Sequence, residues 1–120
     1  MKKDLIIDGC AFTEDGVGFI GVTEQVLNCE VDAFFLTLPS CGEGYTACTR
    51  AIGGIYNLTD NESKRLTVAR SIDDIYAAKA AGKKAIVLSF QNPNPIENSL
   101  EQLRVFYELG VRVVQMTYNN

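Results

Sequence analysis

Polar side chains with usable chemistry follow several of the apolar runs in this sequence. They are Asp8, Cys10, Gln91, Asn92, Tyr118 and Asn119. A side-chain amide has both a donor and an acceptor, so Gln91 and the asparagines suit recognition of neutral groups such as peptide amides or sugar hydroxyls. A buried Asp8 at the end of a strand would suit a general acid or base. The pattern therefore predicts a site for a small, neutral, polar molecule.

Several of these residues also have simpler structural interpretations. Asn92 and Asn94 stand in an Asn-Pro-Asn-Pro run, whose side chains can accept hydrogen bonds from the backbone of their own turn. Asp8 can likewise be held by loop backbone. Glu43 and Glu97 are the other acids that we expect near the same face. Both interpretations stay open at this point.

Composition excludes several other kinds of site. The 120 residues carry 11 Lys and Arg against 15 Asp and Glu, a net charge of -4 and no histidine. Without histidine, this chain cannot form a Ser-His or Cys-His nucleophilic pair or an imidazole-bound zinc site. An acidic chain without a basic run is also unsuited to nucleic acid. We expect its partners to be small molecules or other proteins.

The cysteines and glycines form no specific motif. Cys10, Cys29, Cys41 and Cys48 lack zinc-ribbon or CxxC spacing, so we expect reduced thiols. A soft metal site and a reactive thiol at Cys10 remain alternatives to simple packing. Residues 16–21 spell GxGxxG, but no acid ends the second predicted strand. A glycine-rich loop leading into a helix is favoured over a phosphate loop.

Four apolar runs predict the strands that position these residues. They cover residues 5–7, 33–38, 85–90 and 112–117. Because they are apolar continuously rather than alternately, they are typical of strands buried on both faces of a parallel sheet.

Helices are predicted between these strands. One begins after a Ser71 cap and ends at Gly82, and another follows Asn98 or Ser99 and ends at Gly110. The long connection over residues 39–84 should hold a helix near 48–57, a turn at 60–63 and a short extended segment at 66–68. The order is β-α-β-α-β-α-β, an α/β fold in one domain of residues 1–120.

The sequence also predicts a cytoplasmic, soluble protein. Two lysines at the N-terminus precede only three apolar residues before an acid, which is not a signal peptide. The longest apolar runs fall far short of the ~20 residues that cross a bilayer.

Three segments together resemble the renal (membrane) dipeptidase family. They are Asp8-Gly9, residues 85–92 (AIVLSFQN), and residues 103–119 (LRVFYELGVRVVQMTYN). That family belongs to the metal-dependent amidohydrolase superfamily of (β/α)8 barrels, which hydrolyses peptide or amide bonds with zinc. The resemblance runs from about Asp4 to Asn120, and implies the first four strands of such a TIM-type barrel.

The chain departs from the family at its metal-site positions. Where the family has His-x-Asp, this sequence has Cys10 and Phe12, and Gln91 replaces a bridging glutamate. Tyr118 replaces a histidine that helps bind substrate. A neutral amide cannot replace a carboxylate between two dications without a large electrostatic loss. The resemblance therefore implies no metal ligands in this chain. Because some family members share Phe-Gln-Asn and Thr-Tyr-Asn, the changes resemble a subgroup's pattern.

The resemblance leaves two functions open. In the first, the chain is the N-terminal half of a dipeptidase-like hydrolase and has no metal-dependent activity alone. Asp8 and Gln91 would hold the catalytic places, while Cys10, Asn92, Tyr118 and Asn119 would bind a small peptide or amide-bearing molecule. In the second, the chain is a non-catalytic half-barrel that binds or assembles. Its open sheet edges would be covered by a second copy or by a separate C-terminal half-barrel.

Overall fold

Strands and helices alternate along the chain, as predicted. The computed structural model describes residues 4–11, 23–38 and 44–116. The strands are Ile7–Ala11 (β1), Ala33–Leu38 (β2), Leu66–Val68 (β3), Lys84–Phe90 (β4) and Val111–Val114 (β5). The helices are Thr23–Asn28 (α1), Tyr45–Asn61 (α2), Ile72–Ala80 (α3) and Leu100–Glu108 (α4), with a short 3-10 turn at Asn94–Ile96. The α/β class is confirmed.

All described strand pairs are parallel. β2 lies along one edge of β4, from the pair Ala33–Ala85 to the pair Leu38–Phe90. The other edge of β4 is shared, because β3 pairs with residues 84–86 and β5 pairs with residues 88–90. The order β1-β2-β4-β5 is consistent with the first four strands of a (β/α) barrel. β3, which the sequence predicted as a short extended segment, is an addition at the start of the β4 edge.

The strand order places the helices on two faces. The step from β2 to β3 passes over β4, and the step from β3 to β4 returns in the opposite direction. Since crossovers are right-handed, α3 must lie on the opposite face from α2. We call the face under α2 and α4 the outer face; its core includes Leu36, Leu38, Ile86, Leu88, Phe90 and Phe106. The inner face packs on α3 through Ala33, Ala85, Val87, Ile75 and Ala78.

Two predicted helix caps are confirmed. Ser71 Oγ accepts a hydrogen bond from the Asp74 N–H at 3.2 Å, and Ser99 Oγ accepts one from the Gln102 N–H at 3.2 Å. Ser99 rather than Asn98 is thus the cap of α4. Gly82 and Gly110 follow their helices with φ of 74° and 108°, a conformation that favours glycine.

The prediction for α2 was too short. The helix runs from Tyr45 to Asn61 rather than over 48–57, and the turn lies at 62–65 rather than 60–63. Its buried residues, among them Cys48, Ile52, Ile55 and Leu58, recur at helical spacing against the sheet. That packing outweighs the weakening effect of Gly53-Gly54.

The expectation for the first strand was also wrong in its bounds and burial. β1 begins at Ile7 and continues to Ala11, so the strand does not end at Asp8-Gly9. Its pairing with β2 is interrupted by a bulge between Asp8 and Ala11. β2 and β4 are buried on both faces. β1 is mostly exposed, since it lies at one edge of the described sheet. β5 ends at Val114 rather than at Thr117, which lies outside the described residues.

Among the described helices, none is both long and apolar enough to cross a bilayer. The cytoplasmic location stays a prediction.

Candidate functional site

A pair of buried polar residues marks the inner face near the carboxyl ends of the strands. Thr37 and Ser89 are partners in the parallel register of β2 and β4. Thr37 and Ser89 lie two residues on from Phe35 and Val87, which pack on the inner side, so they share that face; both are buried. Ser89 Oγ donates to the Leu36 carbonyl oxygen at 3.0 Å. This pair places two buried, neutral hydroxyl groups on the inner face close to the carboxyl ends of the strands.

Gln91 stands directly beyond this pair. It is the first residue after β4, half-buried, and two positions on from Ser89. Side chains alternate along a strand, so continuation of that pattern would place Gln91 on the inner face. In (β/α) architectures ligands meet the carboxyl ends of the strands, and Gln91 lies at that end. Its role there stays a prediction.

Asn92 forms the turn that its simpler interpretation predicted. Its side chain is buried, and Oδ1 accepts a hydrogen bond from the Asn94 N–H at 3.0 Å. This is an Asx turn, in which an asparagine bonds backbone two residues on. The turn redirects the chain out of β4, so Asn92 shapes the loop that follows Gln91. A direct contact of Asn92 with substrate stays a prediction.

Glu97 joins this loop to the start of α2. Gly44, the N-cap of α2, provides no side-chain cap, and Glu97 Oε1 lies 3.4 Å from the Tyr45 N–H. A carboxylate is favourable at this positive end of a helix. Glu97 and Asn98 have φ of 55° and 58°, which is costly for a glutamate. The sequence predicted Glu97 near the strand ends but not its contact with the N-terminus of α2. The glycine at position 44, which has no side chain to cap the helix, is the feature that could have indicated such a contact.

The expected burial of Asp8 is wrong. Asp8 is exposed within β1, because β1 lies at a sheet edge rather than in the sheet interior. Its register partner is Phe34, which alternates with Phe35 and so faces the outer side. Asp8 therefore does not share a face with Thr37 and Ser89. Its catalytic role stays a prediction, without the burial that motivated it.

Several predicted site residues fall outside the described structure. They are the side chain of Cys10 and residues Phe12, Cys41, Glu43, Tyr118 and Asn119, together with the glycine-rich segment 16–21. Their convergence with Gln91 stays a prediction. Cys48 is buried in the outer-face core, as packing predicts, and Cys29 is partly buried; neither forms a disulfide bond in the described part of the chain.

The described residues do not fit a metal centre. Within residues 4–11, 23–38 and 44–116, no three His, Cys, Asp or Glu residues are grouped so that they could hold a metal ion. Gln91 offers only a neutral amide, and Asp8 belongs to the other face of the sheet. The donor chemistry is therefore unsuited to a pair of dications.

A second polar network, which sequence reasoning missed, lies where β3 gives way to β5. Tyr56 Oη donates to the Leu109 carbonyl oxygen at 2.6 Å and accepts from Arg70 at 2.9 Å. Arg112 Nε donates to the Arg70 carbonyl oxygen at 2.8 Å. A Cβ at Gly110 would lie 2.6 Å from Tyr56 Oη. The Gly-Val-Arg sequence after α4 is the feature that could have indicated this network. We interpret the network as stabilising the fold.

The family model for membrane dipeptidases (peptidase family M19) matches residues 23–120. This chain belongs to the membrane dipeptidase family. The predicted resemblance is thus confirmed, including the amidohydrolase-like fold. Among curated proteins, none matches the chain.

Solved structures agree with this assignment. An amidohydrolase from Pseudomonas aeruginosa is 31% identical with a TM-score of 0.85, over 96% of this chain and 34% of its own. The probable dipeptidase PvdM from Pseudomonas aeruginosa is 17% identical with a TM-score of 0.77, over 97% of this chain and 35% of its own. Dipeptidase AC, described as a metallopeptidase of family M19, is 13% identical with a TM-score of 0.71, over 95% and 43%. The last two support the fold alone.

The coverage shows how much of the barrel is present. The chain spans about a third of the length of the first two of these structures. It therefore corresponds to a partial (β/α) barrel, as the order of β1, β2, β4 and β5 indicates.

Proposed function

We propose that this chain supplies the carboxyl ends of the first strands of a dipeptidase-like barrel, where Gln91 recognises an amide-bearing molecule such as a small peptide. The observation that carries the proposal is the pair of buried, neutral hydroxyl groups of Thr37 and Ser89, which precedes Gln91 along the inner face, in a chain of the membrane dipeptidase family. A peptide unit needs one donor and one acceptor, and a glutamine side chain offers both.

The other predicted residues complete this proposed site. Cys10 lies near the carboxyl end of β1, Tyr118 and Asn119 follow β5 in the sequence, and the carboxyl ends of the strands of a parallel barrel converge on one face. Asn92 shapes the loop through its bond to Asn94. Asp8 retains a proposed acid–base role only if the complete barrel changes its exposure.

The proposed site works without a metal centre made from this chain's own residues. In the family the metal ions supply a Lewis acid and activate water. Here Gln91 would bind and orient the amide rather than ligate an ion. We therefore expect the isolated chain to leave dipeptides intact with or without added zinc. EDTA-sensitive turnover of Ala-Ala above that of a heat-denatured sample would contradict this.

Titration with glycylglycine amide, followed by NMR of the ¹⁵N-labelled chain, tests recognition. We expect the Gln91 side-chain resonances to shift, and Gln91→Ala to weaken binding by about tenfold, the value of one lost hydrogen bond. Asn57→Ala, which removes an exposed amide from α2, is the matched control and should bind like the wild type. Equal binding by the Gln91→Ala variant would contradict the proposal.

A second candidate function is a non-catalytic module that self-associates. It is favoured by the exposed apolar residues at the sheet edges, among them Ile6, Ile7 and Met116. Exposed edge strands of this kind are templates for pairing with another chain.

A further inference from the structure

The loop that follows β4, residues 91–99, is a series of overlapping hydrogen-bonded turns. Its four hydrogen bonds, of 3.0 to 3.1 Å, join Asn92 to Asn94, Pro93 to Ile96, Asn94 to Glu97, and Ile96 to Ser99. Pro95, in the middle of the loop, is buried. Because each turn overlaps the next, the position of Glu97 constrains the backbone as far back as Asn92, the neighbour of Gln91.

The backbone at Glu97 and Asn98 is in the left-handed region, with φ of 55° and 58°. That region brings Cβ too close to the following carbonyl oxygen, so glycine would adopt it at lower cost than either residue. Residues held in such conformations cluster at functional sites. The glutamate at position 97 therefore points to a role for its carboxylate that a glycine could not fill.

The Glu97 carboxylate bridges the first residue of α2 and the first turn of α4. Oε1 lies 3.4 Å from the Tyr45 backbone nitrogen, and Oε2 lies 3.4 Å from Gln102 Nε2. Gly44, the N-cap of α2, leaves room for this contact, since an added Cβ would lie 3.2 Å from Oε1. The positive end of a 17-residue helix attracts a carboxylate, so the contact holds the end of the loop against α2.

Aromatic packing connects the same point of α2 to the beginning of the loop. The Tyr45 ring centroid lies 5.4 Å from that of Phe106, and the Phe106 ring meets the Phe90 ring edge-on with centroids 4.8 Å apart. Phe90 and Phe106 are fully buried, and Phe90 directly precedes Gln91. Tyr45 is therefore linked to the loop at both ends, through its ring near Gln91 and through its backbone at Glu97.

We propose that Glu97 is a positioning residue, whose carboxylate holds residues 91–99 against α2 and so orients the Gln91 amide for its ligand. This proposal rests on amide recognition by Gln91, and it adds a residue that acts on Gln91 through the loop. The contacts that carry it lie between α2, β4 and α4, which pack together in the outer-face core. Without the carboxylate the loop occupies other conformations for part of the time, and the apparent affinity falls with the fraction that stays competent to bind.

Titration of the ¹⁵N-labelled chain with glycylglycine amide tests the proposal on the variant Glu97→Gly. This change removes the carboxylate and lets the backbone keep its positive φ without cost. We expect the dissociation constant to rise about threefold, the value of one carboxylate at a helix N-terminus. Asn98→Gly is the matched control, because it gives the neighbouring left-handed residue the same backbone freedom and leaves the carboxylate in place. It should bind like the wild type.

A second change separates positioning from simple stabilisation of α2. Gly44 has the extended backbone of an N-cap, so Gly44→Ser supplies a hydroxyl that accepts from the first turn of the helix. Added to Glu97→Gly, it should raise the urea midpoint of unfolding but leave amide binding weak, because the serine does not reach the loop.

Three results would overturn the positioning role while leaving amide recognition by Gln91 intact. They are wild-type affinity in Glu97→Gly, an equal loss of affinity in Asn98→Gly, and affinity restored by Gly44→Ser. Absence of binding by the wild type would instead contradict the proposed function of Gln91, and the role of Glu97 with it. The wild-type titration therefore distinguishes failure of one proposal from failure of the other.

Discussion

At the residue scale, Gly110 both ends α4, as the sequence predicted, and allows a close approach of the backbone to Tyr56, which the sequence did not predict. Its φ of 108° is rarely adopted by other residues, and a Cβ would lie 2.6 Å from Tyr56 Oη and 3.5 Å from Arg70 Nε. Gly110 thus lets the chain turn from α4 into β5 close to the hydroxyl that binds the Leu109 carbonyl oxygen. The close approach, and not only the turn, requires glycine here.

Gly110→Ala should destabilise the fold by about 1–3 kcal/mol, because it adds backbone strain and displaces the Tyr56 hydroxyl. Chemical denaturation of wild type and variant measures the difference. Gly53→Ala is the matched control. Gly53 lies exposed within α2 with nothing within 4 Å of an added Cβ, so alanine should stabilise by about 0.5–1 kcal/mol. Equal changes in unfolding free energy for the two variants would show that the close approach is unimportant.

At the element scale, Asp32 fastens the segment before β1 to α3. Its Oδ2 accepts hydrogen bonds from the Ile6 N–H at 2.8 Å and from Lys79 Nζ at 2.9 Å. Lys79 Nζ also donates to the Asp4 carbonyl oxygen at 2.7 Å. Desolvation raises the pKa of Asp32, but the hydrogen bonds from Ile6 and Lys79 and the charge of Lys79 outweigh it, so the pKa lies below 3.8.

A lowered folded-state pKa means that the carboxylate stabilises the fold above its unfolded pKa, and that this contribution is lost as pH falls through the folded value. Asp32→Asn should therefore cost on the order of 1–3 kcal/mol at pH 7. The difference from wild type should shrink below about pH 3.8. Urea denaturation across pH measures it, with Asp60→Asn at an exposed position of α2 as the control. A difference that is the same at pH 3 and pH 7 would contradict this account.

Sequence patterns predicted the interior elements better than the edges. β2 and β4 are continuous apolar runs buried on both faces, and Ser71 and Ser99 cap α3 and α4 as expected. Burial of β1 could not be predicted from composition, since exposure depends on which strands flank it in space. The extent of α2 was underestimated because packing of Cys48 and Leu58 on the sheet overrides the local effect of two glycines.

The placement of α3 on the inner face can be predicted only from the strand order, and not from the sequence of the helix. Its periodicity resembles that of any amphipathic helix, but the return from β3 to β4 reverses the direction of the crossover. For the same reason the candidate site was only partly predictable. Gln91 follows a strand that the sequence identifies, whereas the Thr37–Ser89 pair beneath it depends on the register between β2 and β4.

At the scale of the whole molecule, the central claim is that this chain keeps a dipeptidase-family barrel wall while its strand ends carry different chemistry. Family membership and the parallel sheet support the wall. In the sequence, Gln91, Cys10 and Phe12 stand where the predicted resemblance implies metal ligands, and this is the changed chemistry that we propose. Restoring the family's donors should therefore restore metal binding without rebuilding the fold.

Calorimetric zinc titration of the variant with Cys10→His, Phe12→Asp and Gln91→Glu tests this claim most directly. We expect the folded triple variant to bind zinc measurably, because it combines an imidazole and two carboxylates at converging strand ends. Gln91→Glu alone should not bind, since one carboxylate is a poor site for a dication. Absence of binding by the folded triple variant would mean that these positions do not meet in space, and would contradict the assignment of Gln91 to the family's metal-bridging position.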